Sequence, residues 1–199
     1  MALKESASQT AGPYVHIGLT PNFSGITGIY PRDLGTEMVN AKTKGEHIAV
    51  SGRIIDGGGA VLKDALVEIW QADAAGFYNS PSETRGDADT NFTGWGRKAT
   101  DMETGVFSFD TIKPGSTIFP DGRVQAPHIT FWIVARGINL GLNTRMYFAD
   151  EEKANAADPV LARIEHKDRL KTLLAQRDGN SYTFDIHLQG ETETVFFEI

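Results

Sequence analysis

The chain has 199 residues, with 19 Lys and Arg against 26 Asp and Glu, for a formal net charge of −7. Hydrophobic residues make up 40% and charged residues 23%, the usage of a folded globular protein, so intrinsic disorder and fibrous repeats are excluded and one domain over 1–199 is expected. An acidic chain without a Lys/Arg cluster offers no field for nucleic acid or anionic lipid, and the absence of cysteine removes disulfides, thiolate zinc sites, iron–sulfur clusters and cysteine nucleophiles.

The opening Met1–Ser6 leads into no apolar run, and nowhere do eighteen apolar residues follow one another, so a cytoplasmic address is the expectation. Residues 1–45 form a turn-rich arm in which Gly12-Pro13-Tyr14, Pro21-Asn22, Gly25, Gly28 and Pro31 predict little regular structure. The arm still carries Tyr14, Val15, Ile17, Leu19, Phe23, Ile26 and Ile29, so it is expected to lie against its own domain or against a second chain.

From His47 onward, period-two or continuous apolar runs alternate with Gly, Pro, Asp and Asn, the pattern of strands and turns. His47–Ile55 and Ala65–Trp70 flank Asp56-Gly57-Gly58-Gly59 at hairpin distance. No Lys-Ser/Thr follows those glycines, so they supply a turn and not a phosphate cradle. Asn79–Asn91 is a long polar excursion and a candidate subunit contact. Further strands are expected at Val106–Ile112, His128–Ala135, Thr144–Phe148, Tyr182–Leu188 and Thr194–Phe197. A short helical segment is expected near 150–176, with Asp158 as N-cap, Pro159 at the first position, and Val160, Leu161, Ile164, Leu170, Leu173 and Leu174 as a broken apolar face. About seven strands at this spacing predict a mainly β fold, a β-sandwich.

Chemical motifs are few. Asp87-x-Asp89-x-Asn91 opens like a calcium loop, but Phe92 stands where Gly is needed and Lys98 where a bidentate Glu should be. Arg85-Gly86-Asp87 and the sequons at Asn22 and Asn91 lack the export signal that would give them meaning. The histidines, His16, His47, His128, His166 and His187, form no pair at metal-binding spacing.

Whole strings carry more. Ser8–Tyr14 (SQTAGPY), Glu68–Tyr78 (EIWQADAAGFY), Thr111–Gly115 (TIKPG), Ala126–Ile129 (APHI), Ala135–Asn139 (ARGIN), Thr144–Phe148 (TRMYF) and Gln189–Phe197 (QGETETVFF) resemble, in order and spacing, the intradiol ring-cleaving dioxygenases over nearly the full length. That family holds non-haem Fe(III) with two tyrosines and two histidines. Tyr78 matches the first tyrosine and His128 the first histidine, while Thr117 and Thr130 stand where the second of each should be. Gln125 stands where the catalytic chains carry an arginine. Phenolate stabilises the hard ferric ion and a neutral threonine hydroxyl does not, so the resemblance implies a lapsed metal site and no metal or catalytic group in this chain.

The resemblance is to the non-catalytic chains of the family's two-chain enzymes. It implies an (αβ)n hetero-oligomer in which a homologous chain keeps Fe(III) and opens the ring of protocatechuate with O2, and in which this chain walls the pocket. Matching wall pieces are Thr10, Gly12, Pro13 and Tyr14 on the arm, and Arg136, whose planar fork suits the substrate carboxylate. Arg145 is the weaker candidate for that role, with a strand-edge or contact-surface position as its plainer reading. Two other readings stay open: a self-sufficient enzyme using Tyr78, His128 and a carboxylate, and a β-sandwich module that binds an aromatic acid without redox chemistry.

Overall fold

Alternation decides which side of each strand meets the core. In the computed structural model, which describes residues 9–139 and 141–198, β1 (His47–Ile55) buries Ile48, Val50, Gly52 and Ile54 and turns the intervening side chains outward. β4 (Val106–Ile112) pairs antiparallel along one edge of β1 and sends Phe107 and Phe109 inward. The other edge of β1 takes β10 (Ser181–Thr183) and then β11 (Ile186–His187), both parallel to it.

A second group of strands runs β3 (Trp95–Ala99), β2 (Leu66–Trp70), β7 (His128–Val134), β8 (Leu142–Phe148), each antiparallel to its neighbour. The two groups join through β9 (Leu174–Asp178), which pairs antiparallel with β10 and parallel with β8. The sheet thus folds over a single apolar layer, a sandwich closed along one side. Phe131 of β7 lies 5.7 Å from Phe107 and 5.3 Å from Phe184 between ring centroids, and Phe148 meets Tyr182 edge-on at 4.8 Å. A smaller cluster of Ala126, Tyr147, Leu161 and Leu173 covers the outer face of β7 and β8.

Several elements differ from the sequence reading. β3 reads WGRKA and looks polar; its charges pay off across the ladder, where Arg97 Nε donates to Glu68 Oε1 at 2.6 Å. β5 (Thr117–Ile118) and β6 (Val124–Gln125) make a hairpin too short to show a period. The expected helix is replaced by α2 (Glu152–Ala157), two 3-10 turns at Leu161–Arg163 and Lys167–Leu173, and β9. Asp158 does cap a turn: its Oδ1 accepts from the amides of Val160 and Leu161. The single strand expected over Tyr182–Leu188 breaks into two because Asp185 Oδ1 accepts from the Arg53 amide at 2.9 Å and interrupts the ladder. Thr194–Phe197 makes only the bridge between Phe197 and Asn143.

The arm is more regular than its turns predict. Pro13 opens α1 (Pro13–Leu19), a position where its missing amide hydrogen costs nothing. Buried Asp33 then gathers the amides of Asn22 and Phe23, and Met38 enters the main core. The arm's first eight residues, including the opening Met1–Ser6 and Ser8, lie outside the described residues. No helix among the described residues is long and apolar enough to cross a membrane.

Candidate functional site

Two distant stretches meet because glycines let their backbones touch. Gly76, at φ +86°, sits where a Cβ would be 2.1 Å from the Ser116 carbonyl oxygen, and a Cβ on Gly115 would be 2.6 Å from that of Ala74. Asp73 fixes the turn: its Oδ1 accepts from Ala75 and Phe77 amides and its Oδ2 from Asp89. Tyr78 is thereby set close to Thr117. Its ring stacks on Trp70 at 5.9 Å and 10°. Glu83 accepts from the Tyr78 amide and is ion-paired to Arg85, which holds the Glu83 carboxyl down at about 2. The arginine of the Arg-Gly-Asp string is thus an internal tie.

Strand register supplies the rest. Thr130 lies opposite Trp70 on one side and opposite Arg145 on the other, and His128 lies opposite Tyr147. Side chains two apart share a face, so Trp70, His128, Thr130, Arg145 and Tyr147 all project from the outer face of this half of the sheet. Arg145 Nη1 donates to Gln125 Oε1 at 2.9 Å, and Gln125 Nε2 donates to the buried Thr117 Oγ1 at 3.1 Å. The Tyr147 phenol, within reach of the Arg145 charge, donates to Asp158 Oδ1 at 3.4 Å. Asp158 Oδ2 accepts from the Ala126 amide at 2.8 Å. Two polar groups therefore lie side by side, Thr117–Gln125–Arg145 and Tyr147–Asp158–Ala126.

The electrostatics favour neutral donors. Burial, with the charge of Arg145 second, pushes His128 down to about 4. Its Nδ1 donates to the Ala126 carbonyl at 2.7 Å, which fixes the tautomer because a carbonyl only accepts. Burial also raises Tyr78 above the ordinary phenol range, partly offset by the Thr117 hydrogen bond and Arg145. Tyr147 is raised by burial and by Asp158.

The structure brings Tyr78, Thr117, His128 and Thr130 together, yet the set does not fit ferric iron: one phenol, one imidazole, two aliphatic hydroxyls and a guanidinium among them. Asp158 and Glu83, the carboxylates whose charges reach these groups, already accept from amides or an arginine. Among the described residues, no three His, Asp or Glu side chains stand close enough to hold a metal. Arg145 is the group whose surroundings sequence reasoning left open. β8 lies between β7 and β9, but β9 pairs only with Tyr147 and Phe148, so beside Arg145 the ladder runs to β7 alone. Its parity with Tyr147 is readable in the sequence, but its placement opposite Thr130 is not.

The wall candidates lie elsewhere. Arg136 is six residues beyond Thr130, roughly 20 Å along the strand direction, and its side chain is 81% exposed, with Nε 3.4 Å from Asp64 Oδ2. Thr10 Oγ1 donates to the Ala135 carbonyl at 3.2 Å and accepts from the Gly137 amide at 3.0 Å, and Asn139 Oδ1 accepts from the Gln9 amide. Thr10 thus clamps the turn that carries Arg136. Gly12 precedes α1 and its carbonyl accepts from Val15; Pro13 is exposed, and Tyr14 is 84% exposed. His16 ties α1 down, its Nε2 lying 2.9 Å from the Asp64 carbonyl oxygen. Arg136 opens onto a cleft of about 1130 Å³ shared with Lys63, Asp64, Met102, Asn139 and Gln189.

Residues 20–190 match the family model described as Dioxygenase. The protocatechuate 3,4-dioxygenase alpha chain of Pseudomonas putida is 43% identical over 98% of this chain and 97% of its own length. The protocatechuate 3,4-dioxygenase beta chain of Burkholderia cepacia is 36% identical over 78% of this chain and 69% of its own. Among solved structures, the dioxygenase domain of a dioxygenase and carbohydrate-binding protein fusion from Streptomyces sp. SirexAA-E aligns with a TM-score of 0.53 at 27% identity, covering 80% of this chain and 88% of that one.

Proposed function

Because the chain belongs to the intradiol ring-cleavage dioxygenase family, we propose that it is the alpha chain of a protocatechuate 3,4-dioxygenase, holding no iron itself and completing the substrate pocket of a homologous iron-bearing beta chain. Intradiol dioxygenases are non-haem iron enzymes, and in this reading the ferric ion and the O2 chemistry belong wholly to the partner. The observation that carries the reading is the donor set at Tyr78, Thr117, His128 and Thr130, which has lost two ligands and gained a guanidinium.

This chain's own residues bind and orient. Arg136 offers its fork to the substrate carboxylate, and charge-assisted, paired hydrogen bonds of that kind fix direction as well as position. The Thr10 clamp holds the Arg136 turn, so the guanidinium starts from a backbone of defined geometry. Gly12, Pro13 and Tyr14 supply a wall that excludes water from the neighbouring pocket, and holding a reactant in place lowers the barrier although no bond is made here. The arm within 1–45 is the subunit contact, and the product is 3-carboxy-cis,cis-muconate.

The test is iron content and protocatechuate-dependent O2 uptake for the chain alone and for the chain purified with its beta partner. Iron and turnover in the mixture alone are expected. Iron and turnover in the lone chain would sink the reading in favour of a self-sufficient enzyme, and neither in either sample would favour a binding module.

A further inference from the structure

The ligand-equivalent positions have not merely lost donors; a cation stands beside them. Arg145 stands opposite Thr130 in the β7–β8 register and on the same face as His128. Its guanidinium donates to Gln125 Oε1, and through that amide it is linked to Thr117. Its charge also reaches Tyr78, His128 and Tyr147, the cross-strand partner of His128. Of the four ligand-equivalent residues, Thr130 is thus in register with this one cation, Thr117 is tied to it through Gln125, and Tyr78 and His128 feel its charge. Among the described residues no carboxylate lies within ion-pair distance of Arg145, and the acceptor it has been given is the neutral Gln125 amide. A half-buried guanidinium without an ion pair is unusual, because desolvation is normally offset by a counter-charge. Here a neutral amide oxygen takes that place.

We propose that Arg145 is a resident cation that takes the place of the metal, so that restoring the two lost donors cannot by itself turn this chain into an iron-binding one. The proposal rests on the reading that iron belongs to the partner chain, and it adds the cause: the cation's place is taken internally, by a guanidinium tethered to the chain. A guanidinium satisfies the surviving oxygens without any ligand being ionised, so Tyr78 can stay a phenol. Iron would need that phenol as phenolate, and it would have to displace a covalently tethered cation to reach it. The site is thus closed by competition as well as by loss.

The test uses the full chain in three forms: wild type, Thr117→Tyr with Thr130→His, and the same double variant with Arg145→Met added. Each is loaded with ferric iron and desalted, and bound iron and the visible phenolate-to-iron charge-transfer band are measured. The expected result is at least tenfold more bound iron, and the band, only when Arg145 is removed. Equal iron in the double and triple variants, high or low, overturns the inference. Stoichiometric iron in the wild type would instead overturn the proposed function, so the two failures are distinguishable. Should the triple variant fail to fold, Arg145→Ala alone decides. Its melting temperature should rise by several degrees in 10 mM methylguanidinium and not in 10 mM tetramethylammonium, with the wild type indifferent to both. The same response to both cations would overturn the inference.

Discussion

The two ends of β7 make an instructive pair. At one end His128 is 2% exposed, its ring nitrogen satisfied by a carbonyl and its surroundings knitted into a network with Thr117, Gln125, Arg145, Tyr147 and Asp158. At the other, Arg136 stands in solvent beside a large cleft, held only by a loose contact to Asp64 and by the Thr10 clamp on its backbone. Each end has one arginine, yet one guanidinium is used up inside the chain and the other is left available. A strand of seven residues thus separates a region whose arginine is tied up inside the chain from one whose arginine stands largely free of it. Substitutions at the His128 end should therefore change folding and leave pairing alone, whereas those at the Arg136 end should do the reverse.

The largest effect that would break this division is at Asp158. Its carboxylate accepts from three amides and the Tyr147 phenol in a fully buried setting. Asp158→Ala should cost roughly 3–5 kcal/mol of stability, since several buried donors lose their partner at once. Urea denaturation measures it, and a loss below about 1 kcal/mol would mean that the network does not stabilise the fold.

Next comes pH. His128 is held near 4 in the folded chain, against an ordinary value of about 6.5, so between those limits the unfolded chain binds a proton that the folded one refuses. The corresponding stability is fully present above pH 6.5 and declines by up to about 3 kcal/mol as pH falls toward 4. His128→Gln should flatten the urea midpoint between pH 4.5 and 6.5; an unchanged slope would place the acid sensitivity elsewhere.

At the other end, Arg136→Ala should leave the chain's own stability within about 0.5 kcal/mol. In the assembled enzyme it should weaken protocatechuate binding by roughly 1.5–3 kcal/mol, the worth of a charged hydrogen bond. Unsubstituted catechol should hardly notice, and equal losses for both compounds would argue against a carboxylate contact. The smallest effect sharpens the picture at the arm: Tyr14→Ala should not alter melting of the lone chain but should weaken pairing with the beta partner by about 1–2 kcal/mol, measured by titration calorimetry.

The sequence made the first end half legible. Alternation in VFSFDTI and HITFWIV gave β4 and most of β7 with their inward faces, because a period of two is a property of the strand itself. It could not give β3, where the stabilising contact is Arg97 with Glu68 on a neighbouring strand 29 residues away. It could not give β9 either, since LAQRD is a strand only because β8 and β10 lie on both sides of it. The same limit applies to the centre. Family strings located Tyr78, Thr117, His128 and Thr130, but only cross-strand register puts Arg145 opposite Thr130. The apolar surplus of the arm was visible as composition. Where that surplus goes was not: Met38 enters the core, while Ile17, Phe23, Ile26, Ile29, Tyr30 and Leu34 stay at least 38% exposed.

The parallel pairing of β1 with β10 and β11 sets the order of events during synthesis. Arg53 and its partner Asp185 are 132 residues apart, and closing so long a loop makes folding slow. While the chain is being made, one edge of β1 waits without a neighbour until residues 181–187 have left the ribosome. An open edge of that kind recruits other strands. The arm, with its exposed apolar side chains, emerges earlier still. Newly made chains therefore pass through a period in which both the edge and the arm are uncovered, and yield on expression alone should depend on how quickly that period ends.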